Sequence, residues 1–224
     1  IFLVSTFLAV IFWSVGLYLA LIGSPPDYQQ KESVRIMYIH VPAAWLSLFI
    51  YASMAASGLI YLIWKHLLAA LYIRAAVGVG AAFTLICLLT GAIWGQPTWG
   101  TWWVWDARLT SVLILLFLYV GVIVILDSFD NPDKGLQAAA WLSIIGSVNL
   151  PIIKFSVEWW NTLHQGPSIS SIERMGNPAL DPVFLKPLLI MTAACFCIYV
   201  AITTIRLNQE IRLRRLNLSG AGME

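Results

Sequence analysis

Six long apolar runs constrain this chain more than any other feature of its sequence. A helix needs about 20 mostly apolar residues to cross a bilayer. The runs that meet or approach this length are 1–23, 41–64, 75–94, 109–126, 136–153 and 183–205. Of the 224 residues, 60% are hydrophobic and 11% are charged, and the mean hydropathy is +0.82. We therefore predict an all-α integral membrane protein with six transmembrane helices in one bundle and a tryptophan-rich outer loop.

Neither an internal repeat nor a soluble domain interrupts this pattern, and the sequence predicts only two regions. Residues 1–205 are predicted to form the six-span membrane domain, and residues 206–224 a basic cytoplasmic tail. Pro151 is expected to kink the fifth span. The sequence contains no C-x-x-C-H motif for covalent haem attachment and no P-loop, so any ATP-driven work is expected to come from partner proteins.

An even number of spans places both termini on one side of the membrane. Loops one, three and five then share the opposite side. Basic residues concentrate in the C-terminal tail, at Arg206, Arg212, Arg214 and Arg215. The positive-inside rule therefore predicts cytoplasmic termini and an outer face formed by the three odd-numbered loops.

The third loop has an unusual density of tryptophans. Four of them, with an acid and a base, fall within ten residues: Trp99, Trp102, Trp103, Trp105, Asp106 and Arg108. Flat aromatic faces beside a few polar groups suit a large, flat, amphipathic ligand. The alternative is an aromatic membrane belt, which accounts well for the scattered tryptophans elsewhere. Asp106 and Arg108 have structural alternatives of their own, a mutual ion pair or a cap for the fourth span.

Two of the three histidines fall on the same side as this loop. His40 precedes Pro42, which suits a first helical position, so His40 is predicted to lie in a turn where the second span begins. His164 follows the fifth span and precedes the helix-stop pair Gly166-Pro167. Two such histidines can bind one metal from opposite directions, as in axial ligation of haem iron. Interfacial hydrogen bonding is the alternative for each, and His66 falls on the opposite side.

Cations near the outer face could meet an anionic ligand. Lys31 and Arg35 lie in the first loop, and Arg108 lies at the start of the fourth span. A carboxylate-bearing ligand such as haem, with its propionates, would suit them.

Three motifs together resemble a known family. Residues 99–110 resemble the tryptophan-rich WWD signature of the haem-handling proteins of cytochrome c biogenesis. Residues 40–44 and 159–166 resemble the flanking histidine motifs of its six-span branch, the cytochrome c maturation protein C or haem exporter protein C family. The resemblance extends from about residue 27 to residue 166 and includes the six-span size. The larger haem lyases of the same family have many more spans.

The resemblance implies a function in haem delivery and no catalysis by this chain. It implies that His40 and His164 are the axial ligands of a transiently bound, non-covalent haem b. The tryptophan segment, with Asp106, Arg108 and Arg35 nearby, would hold this haem at the periplasmic face of a bacterial inner membrane, or of a mitochondrial one as the alternative.

The implied partners follow from the same resemblance. Haem would pass to a periplasmic haem chaperone, cytochrome c maturation protein E. An ABC transporter pair, cytochrome c maturation proteins A and B, would hydrolyse ATP. A small membrane protein of the same system, cytochrome c maturation protein D, would complete the complex.

Two other functions remain open from the residues themselves. A b-type membrane cytochrome oxidoreductase would need haems stacked through the bilayer, with histidines inside the spans. A small-solute permease would need polar or broken helices near the midplane.

Overall fold

The computed structural model describes residues 1–164 and 180–220, and every named element in those ranges is helical. The α-helices are α1 Phe2–Tyr18, α2 Met37–Trp64, α3 Leu67–Trp99, α4 Ala107–Leu126, α5 Pro132–Gly146, α6 Asn149–Trp159 and α7 Pro182–Gly220. A π-helical turn, Leu19–Gly23, extends α1, and a 3-10 helix, Glu32–Ile36, leads into α2. Six helical segments in these ranges are long and apolar enough to cross a membrane, which confirms the six-span prediction.

The fifth span is interrupted, but not at the proline. Helix α5 ends at Gly146 and α6 begins at Asn149, so the break precedes Pro151. Pro151 is the third residue of α6, where its missing N–H would have had no partner within the helix. The hydroxyl of Tyr51 on α2 occupies the place that a side chain at Gly146 would need. The expected kink is therefore a break several residues earlier, at a close approach between α2 and α5.

Helices α2 and α3 form the centre of the bundle, and α4, α5 and α7 pack around them. The core between them contains fully buried tyrosines whose hydroxyl groups bond to backbone carbonyls. Tyr119 donates to the carbonyl of Ser47 at 2.7 Å, and Tyr51 donates to that of Leu142 at 3.3 Å. Internal pairing of this kind is required where no water is available to satisfy polar groups. These two bonds therefore tie α4 and α5 to α2 inside the core.

Ion pairs tie the helices together at the end of the bundle that carries loops two and four. Arg74 on α3 pairs with Asp127 at 2.8 Å, and Arg214 on α7 pairs with Asp133 at 2.7 Å. His66 lies at this end, immediately before α3. Helix α7 continues without interruption past residue 205 to Gly220, so the predicted boundary between membrane domain and tail falls inside one helix.

Candidate functional site

The tryptophan-rich loop lies between two well-defined helix ends. Gly100 ends α3 in the left-handed conformation, with φ of 78°, and its N–H donates to the carbonyl of Gln96 at 3.0 Å. This conformation favours glycine because it has no Cβ. Asp106 begins α4 by accepting a hydrogen bond from the N–H of Leu109 at 2.8 Å. Asp106 is therefore a helix cap, one of the two structural alternatives that the sequence left open.

His164 reaches this loop from the segment that follows α6. Its Nδ1 lies 3.6 Å from Oδ2 of Asp106, and its ring packs edge-on against Trp99 with 4.8 Å between the centroids. Both Nδ1 and that carboxylate oxygen are buried without a hydrogen-bond partner. Helix α6 ends at Trp159, before the expected stop at Gly166-Pro167, and those two residues lie outside the described ranges.

The surroundings of His164 favour its neutral form. Burial lowers its pKa below the ordinary value of 6.5, and the neighbouring positive charge of Arg108 lowers it further, while Asp106 acts in the opposite direction. A neutral imidazole keeps a lone pair with which it can bind a metal. The lowered pKa of His164 therefore favours the form that can bind a metal.

His40 lies within a helix, and the prediction that it occupies a turn was wrong. It is the fourth residue of α2, and Pro42 is the sixth. The 3-10 helix Glu32–Ile36 starts the helical path earlier than Pro42 does. Pro42 therefore lies inside the helix, where it has no N–H to donate to the preceding turn.

The imidazole of His40 packs across α3. Its Nδ1 lies 3.1 Å from the carbonyl oxygen of Cys87 and 3.1 Å from Oγ1 of Thr90. Its ring lies edge-on to Trp94, with 5.6 Å between centroids. A side chain at Gly91 would meet Cε1 of this ring at 3.0 Å. The ring of His40 is therefore held against α3 at Gly91, where the missing side chain leaves room for it.

One face of α3 connects the two histidines. Gly91 lies beneath His40, and Trp99, two turns further on, contacts His164. Gly95 lies between them, covered by the Trp99 ring and the carbonyl of Thr101. Eight residues of helix correspond to roughly 12 Å. The two residues that the sequence paired therefore contact the same face of α3, about two helical turns apart.

Sequence reasoning missed Cys87, Thr90, Gly91 and Gly95. Small residues four apart on a membrane helix, as in G-x-x-x-G, allow another group to approach the backbone closely. That signal is present in the sequence at Gly91 and Gly95 and could have pointed to this face. Thr90 gave no comparable signal, because its partner lies 50 residues away in the chain.

Arg108 faces the interior of the site. Its Nε donates to Oγ of Ser156 on α6 at 3.1 Å, and its charge acts on both His40 and His164. Among the described residues, it makes no ion pair with Asp106, so this second structural alternative is not seen. A cation that is half-buried beside two histidines suits an anionic group on a ligand.

The cations of the first loop have structural partners. Arg35 donates from Nη1 to the carbonyls of Ala20 and Leu21 at 2.7 and 2.6 Å, and from Nε to Glu32 at 2.6 Å. The ammonium of Lys31 donates to the carbonyl of Tyr28 at 3.0 Å. These contacts anchor the loop to the end of α1, and a role for either residue toward a ligand stays a prediction.

The tryptophans of the loop divide into exposed and partly covered members. Trp102 and Trp105 are 60% and 75% exposed. Trp103 is half-buried beside Trp105, with 5.4 Å between ring centroids, and its indole Nε1 is buried without an acceptor. Such a surface offers stacking area and an unused hydrogen-bond donor to a ligand or partner.

Comparison with known proteins gives one consistent result. The family model described as heme exporter protein C matches residues 1–221. The chain is 49% identical over 207 residues to "Heme exporter protein C" of Bradyrhizobium diazoefficiens, covering 92% of this chain and 77% of that one. It is 50% identical over 190 residues to the protein of the same name in Escherichia coli K12, covering 85% and 75%. A "Putative cytochrome c biosynthesis ccmC-like mitochondrial protein" of Marchantia polymorpha is 49% identical over 173 residues, covering 77% and 73%.

Proposed function

Because this chain belongs to the heme exporter protein C family, we propose that it binds haem at the outer face of the membrane and delivers it for cytochrome c maturation. The observation that carries the proposal is the meeting of His40, His164 and the tryptophan loop at one end of the bundle. The cargo is haem b, bound transiently and without a covalent bond. The chain is a transport component and makes or breaks no bond in the cargo.

His40 and His164 are the proposed axial ligands of the haem iron. His40 comes from α2 and His164 from the segment after α6, and each has one ring nitrogen close to a polar group of the protein. The other nitrogen, Nε2, is the natural ligand atom in that arrangement. At His164, burial and the nearby charge of Arg108 favour the neutral imidazole that iron needs.

The tryptophan loop is the proposed platform for the macrocycle. Trp99 already covers His164, and Trp102, Trp103 and Trp105 offer further aromatic area. Arg108 and the Nε1 of Trp103 are the proposed partners of the propionates, since one carries a positive charge and the other is a donor without an acceptor. Arg35 is proposed as a more peripheral cation.

The exposed tryptophans also suit a docking surface. Trp102 and Trp105 are too exposed and too apolar for solvent, and a protein partner would cover them. The proposed partner is the periplasmic haem chaperone, cytochrome c maturation protein E. Cytochrome c maturation proteins A and B, the ABC transporter pair that hydrolyses ATP, and the small membrane protein D of the same system are the proposed remainder of the complex.

The absorption spectrum of the purified protein tests haem binding. We expect a six-coordinate, low-spin haem in the parent protein, and a loss of that signature in both His40→Ala and His164→Ala. His66→Ala is the matched control, because His66 is exposed at the opposite end, and its spectrum should not change. A six-coordinate spectrum at full occupancy in both His40→Ala and His164→Ala would contradict the proposed ligands.

Sidedness is tested by labelling with an impermeant thiol reagent. Tyr28 in the first loop is 81% exposed, and Asp130 is exposed in the loop between α4 and α5. We expect Tyr28→Cys to react in intact cells and Asp130→Cys to react only after permeabilisation. The parent chain sets the background, since its own cysteines are buried at Cys87 and Cys195 and partly exposed at Cys197. The reverse pattern would place the haem site on the cytoplasmic side.

The oxidoreductase alternative has no support in the arrangement of histidines. The chain has three histidines, and only His40 and His164 share an end of the bundle. A second haem deeper in the membrane would lack an imidazole pair. Reduction of the bound haem by a quinol at a turnover rate would favour that alternative over delivery.

A further inference from the structure

We propose that Thr90 and Gly91 are positioning residues for haem binding, which fix the tautomer and the direction of the His40 ring. Together with the carbonyl of Cys87 they form a seat on α3, called here the histidine seat. The proposal rests on the proposed function, in which His40 binds the haem iron. It adds that α3, which supplies no axial ligand, determines which ring nitrogen of His40 is offered to the iron.

The hydrogen bonds at the seat allow only one tautomer. Thr90 Oγ1 donates its single proton to a backbone carbonyl, most closely that of Ile86 at 2.6 Å. It must therefore accept from Nδ1 of His40, to which it lies at 3.1 Å. The carbonyl of Cys87 at 3.1 Å from the same nitrogen can only accept. Nδ1 consequently carries the proton, and Nε2 keeps its lone pair.

The same contacts leave Nε2 available. Within residues 1–164 and 180–220, no hydrogen bond reaches Nε2 of His40, whereas Nδ1 has two acceptors. Metal-binding histidines almost always donate their second ring N–H to a carbonyl or carboxylate, which fixes the ring and raises its basicity as a ligand. At His40 this arrangement is formed entirely by residues of the bundle, so the seat is built before the cargo arrives.

Gly91 supplies the space for the ring. A Cβ at this position would lie 3.0 Å from Cε1, 3.5 Å from Nδ1 and 4.0 Å from Nε2 of His40. The first distance is shorter than ordinary contact, and the ring also packs edge-on against Trp94, with 5.6 Å between centroids. An alanine would therefore push the ring away from its acceptors by a few tenths of an ångström.

The first experiment removes the hydroxyl of the seat. Thr90→Val keeps the branched shape and loses the acceptor, while Thr90→Ser restores it. We expect about tenfold weaker haem retention in Thr90→Val, at the lower end of the range for losing a hydrogen-bond partner of a metal-binding histidine, because Cys87 still accepts. We also expect a more positive midpoint potential of the bound haem, since a less basic imidazole stabilises ferric iron less. Thr90→Ser should return both toward the parent values.

Thr98→Val is the matched control. Thr98 also lies on α3 and also donates to a carbonyl one turn earlier, that of Trp94 at 2.7 Å, but it is exposed and forms no described hydrogen bond with His40. It should leave haem retention and potential unchanged. Equal changes in Thr90→Val and Thr98→Val would overturn the proposal, because they would reflect a general effect of a threonine hydroxyl on α3.

The second experiment fills the space. Gly91→Ala is expected to weaken the low-spin electron paramagnetic resonance signal and shift its g-values. Gly121→Ala is the control, since a Cβ there would meet only the flexible tip of Leu142 at 3.2 Å. A Gly91→Ala signal identical to that of the parent would contradict the spatial half of the proposal.

The outcomes separate this proposal from the proposed function. If His40→Ala leaves the haem spectrum unchanged, the ligand assignment fails, and the seat fails with it. If His40→Ala destroys the six-coordinate spectrum while Thr90→Val and Gly91→Ala keep parent retention, potential and g-values, the seat alone is wrong. A more positive midpoint potential of the bound haem in Thr90→Val, which returns toward the parent value in Thr90→Ser, supports the seat directly.

Discussion

His40 and His164 share one end of the bundle but have very different surroundings. His40 is part of a helix and has two acceptors for its Nδ1, both on the neighbouring α3. His164 follows a helix end, and its Nδ1 is buried 3.6 Å from Oδ2 of Asp106, with neither atom hydrogen-bonded. One imidazole is already oriented, and the other lies just beyond hydrogen-bond distance from its partner.

This difference suits the proposed function, in which the protein both captures and releases haem. An iron-binding side chain that rigid helices already hold in place contributes affinity without an ordering cost. A ligand with an unsatisfied partner can improve its contacts only by moving, since a buried polar atom without a hydrogen bond is unfavourable. We therefore expect His40 to act as the firm ligand and His164 as the adjustable one.

The largest expected effect comes from removing each ligand in turn. His40→Ala should lose more haem than His164→Ala, and more than the roughly tenfold loss expected when only a hydrogen-bond partner of a ligand is removed. His164→Ala should keep a fraction of five-coordinate haem on His40. Haem per protein after purification and the spin state of the iron measure the two effects. Equal losses of haem in the two variants, or a greater loss in His164→Ala, would contradict the distinction between a firm and an adjustable ligand.

The tryptophan loop is expected to matter next, on the His164 side of the site. Stacking contributes about 0.5–1.5 kcal/mol per well-placed ring pair beyond burial, so single alanine changes at Trp102, Trp103 or Trp105 should weaken retention about two- to tenfold. The triple variant should be far worse in haem retention and in haem transfer to the proposed periplasmic chaperone. Trp141→Ala, on α5 and 52% exposed, is the control. A triple variant with normal haem content and transfer would identify the loop as a membrane belt only.

The smallest expected effect tests whether the carboxylate of Asp106 influences haem binding by His164. Asp106→Asn keeps a good helix cap for α4 but removes the charge, and we expect about threefold weaker haem retention, less than the loss of a fully formed hydrogen bond to a ligand. The thermal stability of the haem-free protein should not fall, because the carboxylate oxygen concerned has no partner there.

Asp106→Ala separates the two roles of this residue. It removes the cap as well as the charge, and should destabilise the haem-free protein by about 1 kcal/mol. Thermal unfolding of both variants, beside their haem content, measures the difference. Unchanged haem retention in Asp106→Asn would show that Asp106 acts only as a cap.

Much of the site could be predicted because its residue types are unusual at their positions. The crowding of tryptophans between Trp99 and Trp105 indicated a platform for a ligand, which stays a prediction, and loop parity predicted that His40 and His164 lie on one side. The local geometry was less accessible. The turn predicted at His40 relied on Pro42, yet the 3-10 helix before α2 overrode that signal. The break of the fifth span follows Gly146, where Tyr51 from another helix approaches closely.

The sequence by itself determined the six spans, the tryptophan-rich loop between the third and the fourth span, and the set of candidate ligands. The physical reason is that hydrocarbon imposes a length and an apolar composition on every spanning helix, and both can be read directly from the chain. Only the tertiary structure decided which nitrogen of His40 is free, since its acceptors Cys87 and Thr90 lie 47 and 50 residues away. It also decided that His164 lies beside Asp106 and Trp99, because that contact depends on how α3, α4 and α6 pack rather than on any local pattern.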